Sequence, residues 1–442
     1  MDNGTLLALL TDLMREHRVP GAQVVVHYQG QALSAQAGVV VAGTGEPMAG
    51  DCAFPVGSIT KPFTAALVMA LAADGDLDLD DPLGTVVPEV SSTAPVTSRH
   101  LLTHTAGLAA NIDAAGEQAT SLRRWAVRHG VETAVPHPMG RAFSYSSVGF
   151  TLAGYLVSQL TGMTWREAVT AVLLEPLGIE PTFVGDVGSA SGRSVVGGHT
   201  VRSERDRVVY VPPQEGRVVG EPSGGLALSA HDLAVFARHF LVHDRVAGPL
   251  DHATTAEMRR DQLADVDIGP YGMADGWGLG WARYQTDSGT DFFGHDGVSD
   301  GIAAHLRFDP ASGTVVALTA NANSGVAMWN GLLERLDVAG LSVGNHPRSA
   351  HKAGPPVEAP DACVGRYVNG DMEYVIVRAE DGNLRIQGDG PLAYELTCLA
   401  DLRFTMRDMS YQGMEYGGRF IRDVETGEIP YLQVIGRLAR KV

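Results

Sequence analysis

Lysine is scarce in this sequence. Its 442 residues contain 33 lysines and arginines together, but the only lysines are Lys61, Lys352 and Lys441. Arginine, which stays protonated in proteins, therefore supplies nearly all the positive charge, whereas a buried lysine can lose its proton and act as a base. Lys352 lies in a proline-rich stretch and Lys441 is the penultimate residue. Lys61 is thus the one lysine in the main part of the chain and a candidate functional residue.

Basic patches and cofactor motifs are absent as well. The formal net charge is −18, and phosphate binding needs basic clusters, so we expect no nucleic-acid partner. There is no Walker sequence, no His-Glu-x-x-His and no usable Gly-x-Gly-x-x-Gly, so no cofactor is expected.

Cysteine is equally sparse. Cys52, Cys363 and Cys398 are odd in number, far apart and without zinc-ligand spacing, which argues against a disulfide framework and against a metal site. A reducing cytoplasm fits this pattern.

Long hydrophobic runs are missing too, so no membrane partner is expected. The N-terminus lacks the basic and apolar regions of an export signal. Leucines recur there at helical spacing between Leu6 and Arg18, which predicts an amphipathic helix. We therefore predict a cytoplasmic protein.

The length favours two or three packing units. We predict an α/β domain over 1–345, a proline-rich linker over 346–361 and a small antiparallel β-barrel or sandwich over 362–442. The predicted helices are 58–73, 148–160, 165–174, 230–242 and 328–339. The predicted strands are 22–27, 31–37, 292–293, 302–308, 314–320, 365–367, 374–378, 384–387, 402–406 and 431–435.

The first chemical motif is Ser58-Ile59-Thr60-Lys61, between an extended stretch and a long helix. Residues three apart share a helical face, so the amine of Lys61 can reach the hydroxyl of Ser58. A serine needs such a base to become a nucleophile. The motif alone is weak, because Ser349 and Lys352 have the same spacing. By itself it fits equally a helix-capping Ser58 followed by an exposed Lys61.

Two further motifs follow along the chain. Tyr145 lies just before a predicted helix in Phe143–Phe150, and His295-Asp296-Gly297 lies at a strand edge. Each could be purely structural, but the three motifs in this order resemble the serine β-lactamase and penicillin-binding-protein superfamily, in its class C-like branch. There the pattern is Ser-x-x-Lys, Tyr-x-Asn, and Lys- or His-x-Gly. The resemblance covers about residues 20–335.

The resemblance implies a β-lactamase-like fold and a role for each residue. Ser58 is the nucleophile, and Lys61 and Tyr145 share the acid–base work. The backbone N–H groups of Ser58 and Val298 form the oxyanion hole. His295 contacts the substrate.

Gly297 and Ser147 complete the predicted substrate-binding site. Gly297 follows the His295 motif. Ser147 stands where the family usually has asparagine, and a hydroxyl lacks the paired donors of an amide. This departure puts recognition of a substrate amide carbonyl in question.

A competing nucleophile is Ser299 in Gly297-Val298-Ser299-Asp300-Gly301. This matches the Gly-x-Ser-x-Gly elbow, which requires a strand before the serine and a helix after it. The sequence after Ser299 predicts a strand, which disfavours the elbow.

The fold supports several reactions, so the setting must choose among them. A secreted β-lactamase or a cell-wall carboxypeptidase needs an export signal. A cytoplasmic esterase or a D-stereospecific aminopeptidase or amidase remains open. So does a catalytically inactive binding protein, because Ser147 departs from the pattern.

The chain is most similar in layout to penicillin-binding-protein-type thioesterases. These carry a lipocalin-like domain after the class C-like domain and use His-x-Gly; Val19–Gln23 and Phe54–Lys61 also look like theirs. The resemblance implies a peptidyl thioester or another small acyl substrate and release of a nonribosomal peptide as a macrolactam. It also implies a peptidyl carrier protein of a nonribosomal peptide synthetase as a partner.

The C-terminal segment Gly436–Lys441 is locally basic in an acidic chain. Two interpretations are open: the charges belong to an exposed tail and only meet solvent, or Arg437 or Arg440 reaches the cleft and holds substrate.

Overall fold

The structure is a computed structural model that describes residues 1–90, 95–111, 121–129, 137–185, 193–202, 207–213, 218–345, 355–387, 393–408 and 414–442. Most of the predicted linker, and with it Ser349 and Lys352, lies outside these ranges. Contacts divide the chain into two compact units: 1–78 with 154–260 and 279–344, and 79–153 with 261–278 and 345–442. These two units differ from the two domains predicted on either side of the linker, because the C-terminal barrel belongs to the same unit as residues 79–153 and 261–278.

The first unit is built on an antiparallel sheet. Six of its strands run in the order β2-β1-β11-β10-β9-β8. Every residue of β10 and β11 is buried, so both faces of these strands are covered. The sheet strands are β1 Gly21–Tyr28, β2 Gln31–Gly38, β8 Ala282–Gln285, β9 Asp291–Ser299, β10 Ile302–Asp309 and β11 Thr314–Ala320. Two short pairs accompany them: β3 Phe54–Pro55 with β6 Ala227–Leu228, and β4 Gly198–Arg202 with β5 Arg207–Val211.

Helices pack on this sheet and on each other. The helix of Thr60–Asp74 is apolar on nearly all sides and accordingly buried over most of its length, and it ends at Gly75, whose φ of +84° suits the left-handed C-terminal position. The helices of the first unit are α1 Asn3–His17, α2 Thr60–Asp74, α6 Trp165–Val169, α7 Glu221–Gly224, α8 Ala230–Arg238, α9 His252–Arg259 and α10 Gly325–Val338.

The second unit joins three helices to a closed barrel. The helices are α3 Ser98–Leu102, α4 Leu122–His129 and the start of α5 Ser147–Thr161, and β7 is Gly276–Trp277. The barrel closes in chain order from β12 to β19. Its strands are β12 Gly365–Asn369, β13 Met372–Arg378, β14 Leu384–Gln387, β15 Ala393–Cys398, β16 Arg403–Asp408, β17 Met414–Ile421, β18 Tyr431–Val434 and β19 Arg437–Lys441. Its core is packed with apolar side chains that include Tyr367, Phe404 and Phe420.

The predicted fold class is confirmed: an α/β domain with an antiparallel sheet and helices, followed by a small antiparallel barrel. Gly436–Lys441 is not a free tail, because Arg437–Lys441 is the strand β19, which pairs with β12 and β18 and closes the barrel, although Arg440 on it is exposed. Among the described residues, no helix combines the length and the apolar character that a membrane crossing requires.

Candidate active site

Ser58 lies in a tight turn that only glycine permits. Gly57–Ile59 forms one 3-10 turn before α2, and Gly57 has a φ of +51°. A Cβ on Gly57 would lie 2.4 Å from the carbonyl oxygen of Val298. The glycine therefore lets the turn that carries the nucleophile lie directly against β9.

Lys61 contacts Ser58 from the first turn of α2. Its Nζ lies 3.0 Å from Ser58 Oγ and 3.0 Å from the carbonyl oxygen of Ser223, and the residue is 1% exposed. Lys61 is therefore not an exposed surface charge. Ser58 is not the cap of α2 either, since the position before the helix is Ile59. The hydroxyl instead meets an amine held out of bulk water, which is the arrangement that activates a serine.

His295 is a neutral imidazole beside this pair. It lies on β9 and is 4% exposed; burial, together with the charge of Lys61, lowers the pKa of His295 to about 3. Its Nδ1 lies 2.7 Å from the carbonyl oxygen of Asp296. Because a carbonyl only accepts, Nδ1 carries the hydrogen, and Nε2 is left with a lone pair. His295 is thus a neutral ring at the position where the family motif has either lysine or histidine.

On the opposite face of β9, Asp296 forms ion pairs and hydrogen bonds with the neighbouring strand. Asp296 accepts from both terminal nitrogens of Arg307 at 2.8 and 2.9 Å and from His305 Nδ1 at 2.7 Å. Desolvation opposes ionisation of Asp296, but Arg307 and His305 outweigh it and hold the pKa of this carboxyl well below its usual range. Arg307 is fully buried, with its guanidinium 3.7 Å from the centre of the Tyr284 ring. No local sequence pattern indicates this contact, because it depends on the register of two strands.

Gly297 and Val298 follow on the same strand. A Cβ on Gly297 would lie 1.9 Å from the carbonyl oxygen of Val56, so packing alone requires a glycine there. The side chain of Val298 is 64% exposed. The elbow interpretation of Ser299 is excluded, because Ser299 ends β9 and the next element, from Ile302, is a strand.

Tyr145 lies in the second unit, in the segment before α5. It is 3% exposed, and its ring packs against His104 at 4.4 Å and Trp277 at 6.1 Å between centroids. The helix starts at Ser147 because the hydroxyl of Ser146 accepts from Gly149 N–H at 3.1 Å. Tyr145 is thus a buried phenol on a firmly packed segment.

His104 is a residue that the sequence analysis did not assign. Its Nδ1 accepts from Ser146 N–H at 3.0 Å, and its carbonyl accepts from Ser144 N–H at 2.9 Å. It adopts a left-handed φ of +57°, uncommon for a residue with a side chain. His104 therefore holds the residues on both sides of Tyr145 through hydrogen bonds.

The remaining predicted residues also lie in the second unit. Ser147 donates its N–H to the carbonyl oxygen of Ala110 at 2.8 Å. The guanidinium of Arg437 lies 5.1 Å from the centre of the Tyr145 ring, whereas Arg440 is exposed. Arg437 is thus the arginine of the two that contacts a predicted catalytic residue.

The structure therefore brings the predicted residues together in two groups. Ser58, Lys61, His295, Gly297 and Val298 belong to the first unit, and Tyr145, Ser147 and Arg437 belong to the second. Joint action of the two groups remains a prediction. Among the described residues, no cluster of His, Cys, Asp or Glu side chains could hold a metal ion.

A half-buried serine beside a buried lysine at the start of a helix, next to an antiparallel sheet, is the arrangement of the β-lactamase-type serine hydrolases. The family model "Beta-lactamase" matches residues 6–339, and the chain belongs to this family. Penicillin-binding protein 4 of Amycolatopsis lactamdurans is 33% identical over 74% of this chain and 88% of that protein. Esterase EstB of Burkholderia gladioli is 28% identical over 71% and 89%.

Several solved structures match along the whole length, and SurE is one of them. SurE is 35% identical with a TM-score of 0.84, covering 100% of this chain and 99% of SurE, so the likeness includes the barrel. SurE has also been solved with D-Leu; that structure has a TM-score of 0.82, 34% identity and coverage of 100% and 99%.

Proposed function

We propose that this protein is a trans-acting thioesterase that releases a nonribosomal peptide and closes it head to tail into a macrolactam. The observation that carries the proposal is the 3.0 Å contact between Lys61 Nζ and Ser58 Oγ, with the lysine 1% exposed. This pair supports acyl-enzyme chemistry. The choice of thioester and amine rests on the further points below.

The chemistry has two balanced steps. Ser58 Oγ attacks the thioester carbonyl and gives its proton to Lys61. The carbon–sulfur bond breaks, and the leaving thiolate takes that proton back from Lys61. The amine at the other end of the peptide then attacks the acyl-enzyme. The amide bond forms, the bond to Ser58 Oγ breaks, and the proton lost by the amine returns to the serine. Tyr145 shares these proton transfers with Lys61, as the family resemblance implies.

Two observations favour a peptide donor and its own amine as the acceptor. His295 and Gly297 supply the His-x-Gly motif of the penicillin-binding-protein-type thioesterases, which the chain resembles. Likeness to SurE extends through the barrel, and SurE has been solved with D-Leu. We infer an acyl donor that ends in a D-residue and is delivered by a peptidyl carrier protein in the cytoplasm.

A second candidate is hydrolysis of esters or D-amino acid amides. The similarity to esterase EstB favours it, because the same acyl-enzyme would only need water as the acceptor. The third candidate, an inactive binding protein, would leave Ser58 unreactive despite its contact with Lys61.

The test gives the full chain a fluorophosphonate probe and four substrates: nitrocefin, a p-nitrophenyl ester, a D-alanine amide and a peptidyl thioester. Ser58→Ala and Lys61→Met should abolish labelling and turnover, while Ser349→Ala and Lys352→Met, which alter the same spacing elsewhere, should not. Macrolactam from the thioester supports the cyclase. Rapid nitrocefin turnover or only linear acid rejects it, and absence of an adduct on Ser58 rejects an enzyme.

A further inference from the structure

The turn between β18 and β19 holds the main chain of Tyr145. The N–H of Tyr145 donates to the carbonyl oxygen of Gly436 at 3.0 Å. The N–H of Gly436 in turn donates to the carbonyl oxygen of Tyr271 at 3.0 Å. Gly436 has a φ of +69°, and a Cβ there would lie 3.0 Å from Met273 Sδ and 3.2 Å from Phe143 Cε1. The turn thus fits only a glycine and is tied on both sides.

A buried amide makes a second connection. Asn369, at the end of β12, is fully buried. Its Oδ1 accepts from Ala110 N–H at 2.7 Å, and its Nδ2 donates to the carbonyl oxygen of Leu438 at 2.7 Å and to Ser144 Oγ at 3.3 Å. Leu438 N–H also donates to Ser144 Oγ at 3.2 Å. One side chain therefore joins two barrel strands to the residue before Tyr145.

A third connection is made by Gln433 of β18. Its Nε2 donates to the carbonyl oxygens of Gly269 at 2.9 Å and Phe143 at 3.4 Å, and its Oε1 accepts from Arg419 Nε at 2.8 Å. Gln433 is fully buried. Buried polar groups joined in this way fix a geometry, because leaving any one unpaired is costly.

The barrel residues that make these contacts lie outside the family model, which ends at residue 339. We propose that the barrel is a positioning part of the catalytic centre: Gly436 and Asn369 fix the segment Ser144–Ser146 and thereby the phenol of Tyr145. The proposal rests on the catalytic role of Tyr145 given above. Gly436 and Asn369 are positioning residues, since they act through Tyr145.

The test compares two glycines of equal backbone strain in the full chain. Gly436→Ala adds a methyl group against Phe143 and Met273, whereas Gly427→Ala, at a φ of +74°, meets nothing within 4 Å. We expect Gly436→Ala to lower kcat for acyl transfer by about 10- to 100-fold, as misplacement of a catalytic group does. It should shift the pH–rate profile and leave KM nearly unchanged. Gly427→Ala should keep the kcat and pH profile of the original protein.

A double-variant cycle separates positioning from general damage. In a Tyr145→Phe background, Gly436→Ala should lower kcat only slightly further, because both changes act on the same phenol group. If Gly436→Ala folds poorly, Asn369→Asp takes its place in the test. This change turns an oxygen toward the Leu438 carbonyl and should cause the same loss of kcat and the same shift of the pH–rate profile. Wild-type kcat and pH profile in folded Gly436→Ala and Asn369→Asp, or an undiminished effect in the Tyr145→Phe background, would overturn the proposal. Full activity of Tyr145→Phe alone would instead remove the assigned role of Tyr145, and the positioning proposal with it.

Discussion

The imidazole of His295 donates from Nδ1 to the carbonyl oxygen of Asp296, the next residue, at 2.7 Å. This bond sets the tautomer of the ring, and burial beside Lys61 keeps it uncharged. The position that the family motif fills with either lysine or histidine is therefore neutral here. This lack of charge bears on which substrates the site accepts.

His295→Lys should improve acylation by penicillins. Their carboxylate finds no cationic partner in a neutral imidazole, whereas a lysine ammonium can pair with it. We expect the second-order rate of labelling of Ser58 by a fluorescent penicillin to rise about tenfold, which corresponds to about 1.4 kcal/mol. His295→Gln is the matched neutral control and should stay as slow as the original protein. Equal rates for Lys and Gln at this position would contradict the prediction.

The same residue should make stability depend on pH. Its pKa is about 3 in the folded protein, against about 6.5 for an unperturbed histidine. As the pH falls from 6.5 to 3, the unfolded chain takes up the proton first. His295 therefore lowers the free energy of unfolding by up to about 1.4 kcal/mol per pH unit. Urea unfolding between pH 6.5 and 4.5 should show a shallower pH dependence for His295→Gln, and parallel curves would refute this.

The Asp296–Arg307 pair behind β9 should matter to both stability and turnover. Asp296→Asn leaves the fully buried Arg307 without its countercharge, which we expect to cost about 3 kcal/mol. Because β9 also carries His295, kcat should fall as well. The control is Asp291→Asn on the same strand. Its partner Arg283 lies 3.6 Å away at the surface, so less than about 1 kcal/mol is expected. Equal losses of stability in thermal unfolding for Asp296→Asn and Asp291→Asn would contradict a special role of the Asp296–Arg307 pair.

The sequence predicts local features of this site and misses those that depend on register. Ser58 and Lys61 meet because they are three residues apart, and the β1–β2 hairpin follows from alternation around Gly30. Asp296 meets Arg307 only because β9 pairs with β10 in a particular register. Asn369 meets Ser144 across 225 residues, for which no local pattern exists.

Some missed elements have ordinary physical causes. α9 contains two threonines, which have weak helix propensity, but Asp251 caps it by accepting from Thr254 N–H at 2.7 Å. β19 looked like a basic tail because three of its residues are charged, although Leu438 and Ala439 are fully buried on its two faces. Its role emerges only when the barrel closes.

Arg437 should govern turnover, and Arg440 should not. The guanidinium of Arg437 lies 5.1 Å from the centre of the Tyr145 ring, so it is placed to hold a carbonyl or carboxylate of the substrate next to that phenol. Arg437→Gln should therefore reduce kcat/KM with a peptidyl thioester by about tenfold, or about 1.4 kcal/mol. Thermal unfolding should change little, because an arginine–ring contact contributes only about 0.5–1 kcal/mol at partly exposed sites.

Arg440→Gln is the matched control three residues away on the same strand. It removes the same charge from an exposed position, so a general electrostatic effect on an acidic protein would lower kcat/KM equally in both variants. A local role predicts a loss for Arg437→Gln alone, strongest with substrates that carry an acceptor group beside the scissile carbonyl. If p-nitrophenyl ester and peptidyl thioester lose activity to the same extent, Arg437 acts on Tyr145 rather than on the peptide, since only the second substrate offers peptide carbonyls to bind.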